Sequence, residues 1–127
     1  MEVDGLLPDG SGLGDALATV DAAAPPDHFL VNCAHPDHIA AGIGALVDAG
    51  GSTSRIHGVR YNASRLSHAE LDAAEELDEG DPIALCQAHT SLCGVLPSLR
   101  IVGGCCGTDA RHVAQLWGAD STGLHAA

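Results

Sequence analysis

Two neighbouring cysteines in the last quarter of the chain are the strongest candidates for chemistry. Cys105 and Cys106 lie between Gly103-Gly104 and Gly107. Adjacent cysteines are poor disulfide partners, because a disulfide needs a larger Cα separation than a trans peptide comfortably gives. The flanking glycines free the backbone to bring both sulfurs to one point. Two soft thiolates at one point are typical of a zinc site, which needs at least one further protein ligand.

Cys33 is the best candidate for the third ligand. It ends the mostly apolar run of residues 28–33 and is followed closely by Pro36, which favours a helix start. The cysteine pair likewise follows an apolar run, residues 99–102, and precedes the helix-capping residues Thr108 and Asp109. Both cysteine motifs are therefore expected where a strand ends and a helix begins, the edge that carries reactive groups in parallel α/β folds.

The elements that must position these cysteines alternate along the chain. Apolar spacing and capping signals predict helices at residues 15–24, 36–49, 67–77, 82–93 and 111–116, and strands at residues 28–33, 56–61 and 99–102. Such alternation with short connections predicts a parallel α/β fold. The residues after Gly118 are expected to form a frayed tail.

Helical spacing also predicts which side chains face the core. The expected inward residues are Leu17 and Val20 in the first helix, Ile39, Ile43, Leu46 and Val47 in the second, and Ile83, Cys86 and His89 or Thr90 in the helix at 82–93. Cys86 and Cys93 are interpreted as core-filling side chains.

Charge excludes several classes of partner. The chain has a net charge of −12 and no lysine, so nucleic acid and anionic membrane surfaces are not expected partners. The acidity indicates either a strongly solvated surface or adaptation to high salt, where screening removes self-repulsion.

The cysteine count has to be weighed against the cellular compartment. The acidic start Met1-Glu2-Val3-Asp4 lacks a secretory signal pattern, and no apolar run approaches the length of a membrane span. A reducing, cytoplasmic location is therefore expected. In that setting, five cysteines indicate metal binding or catalysis more often than disulfides.

The two cysteine motifs together resemble a known family. Val31-Asn32-Cys33 followed by the segment from Gly103 to Asp109 is similar to the C-terminal part of the homocysteine S-methyltransferase family, and Asn62-Ala63-Ser64 adds to the likeness. The resemblance implies zinc-dependent methyl transfer to the thiol of L-homocysteine to give methionine. It implies Zn²⁺ ligation by Cys33, Cys105 and Cys106, and a donor such as S-methylmethionine or a similar onium compound, for example betaine.

The resemblance also implies an architecture. Residues 1–127 correspond to the C-terminal half of a (β/α)8 TIM barrel, and a complete barrel needs about 250 residues. Met1-Glu2-Val3 would then be the stump of a preceding strand. A half barrel exposes strand edges and an inner face, so a complementary barrel half or self-association is expected.

Several further residues are assigned by position. Asn32, Asn62 and Ser64 are candidate substrate-binding residues, although Asn32 could equally support the strand end. His35, His38 and His112 are interpreted as surface or capping side chains, because three thiolates and a substrate already fill a tetrahedral site. Thr108 and Asp109 are caps first, with a possible supporting role toward Cys106.

Two other functions remain open at this point. One is a non-catalytic zinc-binding or assembly subunit, or a truncated relic, which keeps the metal without turnover. The other is a thiol redox or metal-sensing protein that uses the vicinal cysteines.

Overall fold

Strands and helices alternate in the computed structural model, which describes residues 1–76 and 78–118. The predicted tail after Gly118 lies outside those residues. The third helix ends at Ala73, so the helix predicted to run to Leu77 is too long, although Leu77 itself lies outside the described residues. The elements, in chain order, are α1 (Leu13–Ala23), β1 (Phe29–Ala34), α2 (Pro36–Asp48), β2 (Ile56–Tyr61), α3 (His68–Ala73), α4 (Pro82–Cys93), β3 (Ile101–Gly104) and α5 (Ala110–Leu116).

The three strands form one parallel sheet in the order β1-β2-β3. The register places Asn32 beside Arg60, and Arg60 beside Gly103. Because the strands are parallel, their carboxyl ends share one edge. Cys33 lies near the carboxyl end of β1, and Cys105 and Cys106 directly follow β3 at that edge. This arrangement confirms the predicted parallel α/β fold.

Helices cover one face of the sheet. The buried core joins Ile39 and Ile43 of α2, Val59 and Tyr61 of β2, and Leu85 of α4. Removal of this apolar surface from water is the main force that holds the helices on the strands.

The opposite face of the sheet is exposed. Leu30 of β1 and Ile101 of β3 keep 43% and 42% of their surface in solvent. Asn32 and Arg60 are also exposed on this face. We call this the open face.

Helix starts follow the predicted capping chemistry. Ser67 and Glu70 form the expected capping box at α3, and Asp81 caps α4 just before Pro82. At α2 the His35 side chain accepts a hydrogen bond from the backbone N–H of Asp37. These contacts satisfy backbone donors that have no partner inside the helix.

The predictions of which helix side chains face the core were only partly right. Leu17 packs against the core, and Ile39, Ile43 and Leu46 are buried. Val20, Val47 and Ile83, however, are 43%, 52% and 57% exposed. Periodicity identifies an apolar stripe but not how far the neighbouring element extends along it.

In α4 the predicted phase was only partly right, because His89 is buried as predicted whereas Ile83 is exposed. The buried side chains are Leu85, His89 and Leu92. This phase lets His89 form a 2.6 Å hydrogen bond with the Tyr61 hydroxyl. Cys86 is only half-buried and Cys93 is exposed, so the core-filling interpretation is wrong for Cys93.

Two strand predictions are also corrected. The strand predicted to end at Val102 continues through Gly103 and Gly104, because these glycines pair with Arg60 and Tyr61 of β2. Met1-Glu2-Val3 forms no strand. It leads into a turn closed by a 3.0 Å hydrogen bond from Gly5 N–H to the Glu2 carbonyl.

None of the helices found in residues 1–76 and 78–118 has the length and apolar character needed to cross a membrane.

Candidate metal centre

Three thiol sulfurs converge at the carboxyl edge of the sheet. The Sγ atom of Cys106 lies 3.7 Å from Sγ of Cys33 and 3.9 Å from Sγ of Cys105. All three sulfurs lie within 4.8 Å of one another and could hold a metal ion. Tetrahedral zinc with Zn–S bonds of about 2.3 Å separates its sulfurs by about 3.8 Å. The spacing therefore fits zinc with little movement.

An unusual backbone conformation aims Cys33 at the other two cysteines. Its φ of 60° makes it the one non-glycine residue with positive φ in the described part of the chain. The pairing of β1 with β2 shifts register between Asn32 and Ala34, so Cys33 occupies a bulge. A bulge redirects a side chain that a regular strand would point elsewhere. The left-handed conformation costs about 1–2 kcal/mol, and such strain is typical of functional sites.

His68 and Glu2 form a hydrogen-bonded chain to the backbone carbonyl of Cys33. The Nε2–H of His68 donates to the Cys33 carbonyl at 2.6 Å, and its Nδ1–H donates to Glu2 Oε1 at 2.8 Å. The hydrogen bonds to Glu2 and to the Cys33 carbonyl raise the pKa of His68. The His68 side chain thus fixes the Cys33 carbonyl, although the sequence carried no signal for this role.

The loop that carries Cys105 and Cys106 is tied to the end of β2. The Cys105 N–H donates to the Tyr61 carbonyl at 2.7 Å, and the Ala63 N–H donates to the Cys106 carbonyl at 3.0 Å. The Thr108 hydroxyl donates to the Cys105 carbonyl at 2.7 Å. These bonds fix the peptide units on both sides of the cysteine pair.

Asn62 connects the two cysteine motifs. Its side chain is buried, and its Oδ1 accepts the Cys33 thiol at 3.3 Å and the Cys106 N–H at 3.3 Å. Its own N–H donates to the Ala34 carbonyl at 3.0 Å. Asn62 therefore positions two of the three candidate ligands at once.

The pKa values of the Cys33 and Cys105 thiols are shifted in opposite directions. Burial and hydrogen bonds with Cys105 and Cys106 raise the pKa of Cys33 to about 11. Burial also acts to raise the pKa of Cys105. Hydrogen bonds from Cys33 and Cys106, with the nearby charge of Arg60, outweigh burial and lower it. Without a cation the cluster thus retains protons that a bound metal would displace.

Comparison with known families shows where this chain belongs. The family model for homocysteine S-methyltransferase matches residues 1–119. The chain belongs to the homocysteine S-methyltransferase family. Its three parallel strands with intervening helices are consistent with part of that family's TIM barrel. No curated protein and no solved structure gives a significant match.

In this member of the family, the three candidate substrate residues have different surroundings. Asn62 contacts the sulfur cluster directly. Asn32 is exposed on the open face, and its Oδ1 accepts a 3.1 Å hydrogen bond from Arg60. The buried Ser64 hydroxyl donates to Asp78 and accepts the Leu66 N–H. Ser64 thus holds its own loop.

Two of the predicted capping residues, Asp109 and His112, cap α5, whereas Thr108 does not. Asp109 caps α5 by accepting the Arg111 N–H, and His112 completes the capping box. His112 is fully buried, and its Nε2 lies 2.7 Å from the Glu79 carbonyl, so it is not a surface residue. Thr108 supports the Cys105 carbonyl rather than Cys106.

Proposed function

We propose that this chain takes part in zinc-dependent methyl transfer to the thiol of L-homocysteine, giving methionine. The observation that carries the proposal is the convergence of the Cys33, Cys105 and Cys106 sulfurs within 4.8 Å. Three protein ligands leave a fourth position for a substrate, which is the catalytic arrangement of zinc sites. Bound Zn²⁺ would lower the pKa of an incoming thiol, so that it reacts as a thiolate at neutral pH.

The transfer is a displacement at the methyl carbon. The homocysteine sulfur supplies the electron pair of the new S–CH₃ bond, and its proton passes to solvent. The bond from the methyl carbon to the onium atom of the donor breaks, and that electron pair stays with the donor, which leaves as a neutral group. S-methylmethionine is the proposed donor, and betaine is the alternative that the experiment compares.

The chain's own contribution is the carboxyl edge of the sheet where the sulfurs of Cys33, Cys105 and Cys106 meet, which we call the sulfur edge. Asn62 links the Cys33 thiol to the Cys106 backbone, and His68 holds the Cys33 carbonyl. These contacts keep the ligands in place before substrate arrives, which reduces the reorganisation needed during the reaction. Asn62 would also face an amino acid bound at this edge.

We further propose that residues 1–127 act as the C-terminal part of a barrel and combine with complementary strands or a second copy. Leu30 and Ile101 leave more than two fifths of their surfaces exposed on the open face. β1 and β3 are the edges of the described sheet. Parallel sheets are almost always covered on both faces, so these features support association. A reducing cytoplasmic setting, which would keep the five cysteines free, is part of the proposal.

The test is a methyl-transfer assay on the zinc-loaded chain. L-homocysteine is supplied with S-methylmethionine or betaine, with and without a polypeptide that carries the complementary barrel strands, and methionine is quantified. We expect methionine from one onium donor and its loss on chelation or in Cys106→Ala. Tight zinc binding without transfer under any of these conditions would instead identify a non-catalytic metal subunit. Absence of zinc together with reversible disulfide formation would identify a thiol redox protein.

A further inference from the structure

Two histidines meet at the edge of the sheet opposite the sulfur edge. His28 directly precedes β1, and His57 is the second residue of β2. Their Nδ1 atoms lie 3.2 Å apart, and the two rings stand nearly perpendicular, at 83°. We call these two residues the histidine pair. His28 lies five positions before Cys33, or roughly 16 Å along an extended strand, so the histidine pair is separate from the candidate metal centre.

An irregularity in the strand pairing places His57 beside His28. The register skips His57, because the two facing residues of β1 pair with Ile56 and Gly58. His57 is therefore the extra residue of a bulge, and a bulge redirects a side chain. The other register shift between β1 and β2 is the one at Cys33. Each shift thus presents a side chain that can ligate a metal, one at each edge of the sheet.

Backbone hydrogen bonds fix the strand ends that carry the histidine pair. The Arg100 N–H donates to the His57 carbonyl at 2.8 Å, and the Phe29 N–H donates to the Arg55 carbonyl at 3.3 Å. His28 is exposed and His57 is half-buried. The backbone is therefore held in place while solvent reaches the rings.

The spacing of the two nitrogens matches one edge of a metal-centred tetrahedron. Metal–nitrogen bonds of about 2.0–2.1 Å at tetrahedral angles separate two ligating nitrogens by about 3.3 Å. The 3.2 Å between the Nδ1 atoms is close to that distance. Imidazole nitrogens suit Zn²⁺, Cu²⁺ and Ni²⁺, whereas Mg²⁺ and Ca²⁺ prefer oxygen ligands.

The surrounding charges are compatible with a cation. Arg55 directly precedes β2, but its guanidinium is paired with Asp21 at 2.9 Å, which offsets its charge. The Arg100 side chain lines a cavity together with Cys93 and Trp117. The net charge of −12 attracts cations to the molecule as a whole.

We propose that the histidine pair is a metal site separate from the sulfur edge, and that it takes a borderline divalent cation such as Zn²⁺. The two Nδ1 atoms are the protein ligands, and water completes the coordination. A hydrogen shared between the Nδ1 atoms in the metal-free pair moves to Nε2 of its own ring when the cation binds. Two imidazoles bind more weakly than three thiolates, so this site fills after the sulfur edge. A bound cation ties the amino ends of β1 and β2 together.

The test is a calorimetric titration of the reduced chain with Zn²⁺ at about pH 7.5, where histidine is mostly neutral. We expect a tight step from the sulfur edge and a weaker second step. His28→Gln and His57→Gln should each weaken the second step by about tenfold or more and leave the tight step unchanged. His38→Gln is the matched control, because His38 lies in the first turn of α2 at the opposite edge, and it should keep the second step.

A nuclear magnetic resonance measurement identifies the ligand atoms directly. In the ¹⁵N-histidine-labelled chain that already holds one zinc, further Zn²⁺ should shift the Nδ1 signals of His28 and His57. Absence of a second step, or a second step that both glutamine variants retain, would mean that the two rings share only a hydrogen bond, and the proposal would be wrong. Loss of the tight step alone would count against the sulfur edge and leave this site standing. Thermal melts establish that each variant is folded, and His28→Gln, at an exposed position, serves alone if His57→Gln does not fold.

Discussion

The carboxamide oxygen of Asn62 lies 3.3 Å from the sulfur of Cys33, although 29 positions separate the two residues in the chain. The same oxygen accepts the backbone N–H of Cys106. One buried side chain therefore fixes the distance between the two cysteine motifs. Residues that hydrogen-bond to metal ligands orient those ligands, and their loss typically lowers metal affinity.

Replacement of Asn62 by alanine should weaken zinc binding by roughly 10–100-fold, since the Cys106 N–H loses its partner and Cys33 loses its anchor. Competition with a chromophoric chelator measures the affinity. Asn32→Ala is the control, because Asn32 contacts Arg60 and not the sulfurs. Equal zinc affinities for the two variants would show that Asn62 does not position the ligands.

Each cysteine of the cluster should be required for metal binding. Cys33→Ala, Cys105→Ala and Cys106→Ala remove one soft ligand each from a site that has three, so bound zinc should fall from about one per chain to near zero after dialysis. Cys93→Ala should keep about one zinc, because Cys93 is exposed and lies outside the cluster. Elemental analysis of the four variants measures this. Loss of zinc in Cys93→Ala alone would place the site elsewhere.

Zinc should also stabilise the fold, because the sulfurs converge only in the folded chain. At a free zinc concentration of 100 times the Kd, the free energy of unfolding should rise by about 2.7 kcal/mol. Urea denaturation with zinc and with chelator measures the difference, and Cys106→Ala should show none. A metal-independent midpoint in the unmodified chain would contradict a folded-state zinc site.

Local sequence signals predicted most of the elements and the meeting of the three cysteines at one edge of the sheet. The strand at residues 56–61 and the helix at 82–93 have the predicted bounds, and Pro82 with Asp81 explains why that helix starts sharply. Flanking glycines and the vicinal pair were sufficient to suggest that the sulfurs meet. These features act over a few residues and do not depend on the rest of the fold.

Features set by contacts between distant residues were not predictable. The bulge at Cys33 depends on its pairing with β2, and local signals offered no reason for a cysteine at positive φ. Local signals in α4 likewise did not predict the hydrogen bond between His89 and Tyr61, which depends on contact with β2.

Stability should fall with acidification because of His89. Its side chain is 9% exposed, and burial lowers its pKa below that of an unfolded histidine, about 6.5. The unfolded chain therefore binds a proton first as pH falls below about 6.5. The stability that neutral His89 provides is fully present above that pH and is lost below it.

Urea denaturation between about pH 7.5 and pH 5 should show this decline, and His89→Gln should flatten it. His68→Gln should have the opposite effect. The raised pKa of His68 contributes stability that is fully present below about pH 6.5 and is lost as pH rises through its folded pKa. Parallel pH profiles for His89→Gln and the unmodified chain would exclude His89 as the source.

The backbone after the cysteine pair should tolerate no side chain at Gly107. Its φ is +78°, and a Cβ there would lie 2.3 Å from the Asp78 carbonyl oxygen and 3.3 Å from Ala63 Cβ. Gly107→Ala therefore combines left-handed strain with a backbone clash and should lower the free energy of unfolding by about 3 kcal/mol. Gly10→Ala is matched in φ, at +85°, but has no atom within 4 Å of the new Cβ, so about 1 kcal/mol is expected. Urea denaturation of the metal-free chains measures both losses.

Because Gly107 directly follows Cys106, its variant should also bind zinc more weakly, whereas Gly10→Ala should not. Equal losses of stability in the two variants would mean that the loop can move away from Asp78, and the sulfur edge would then be less rigid than its hydrogen bonds indicate.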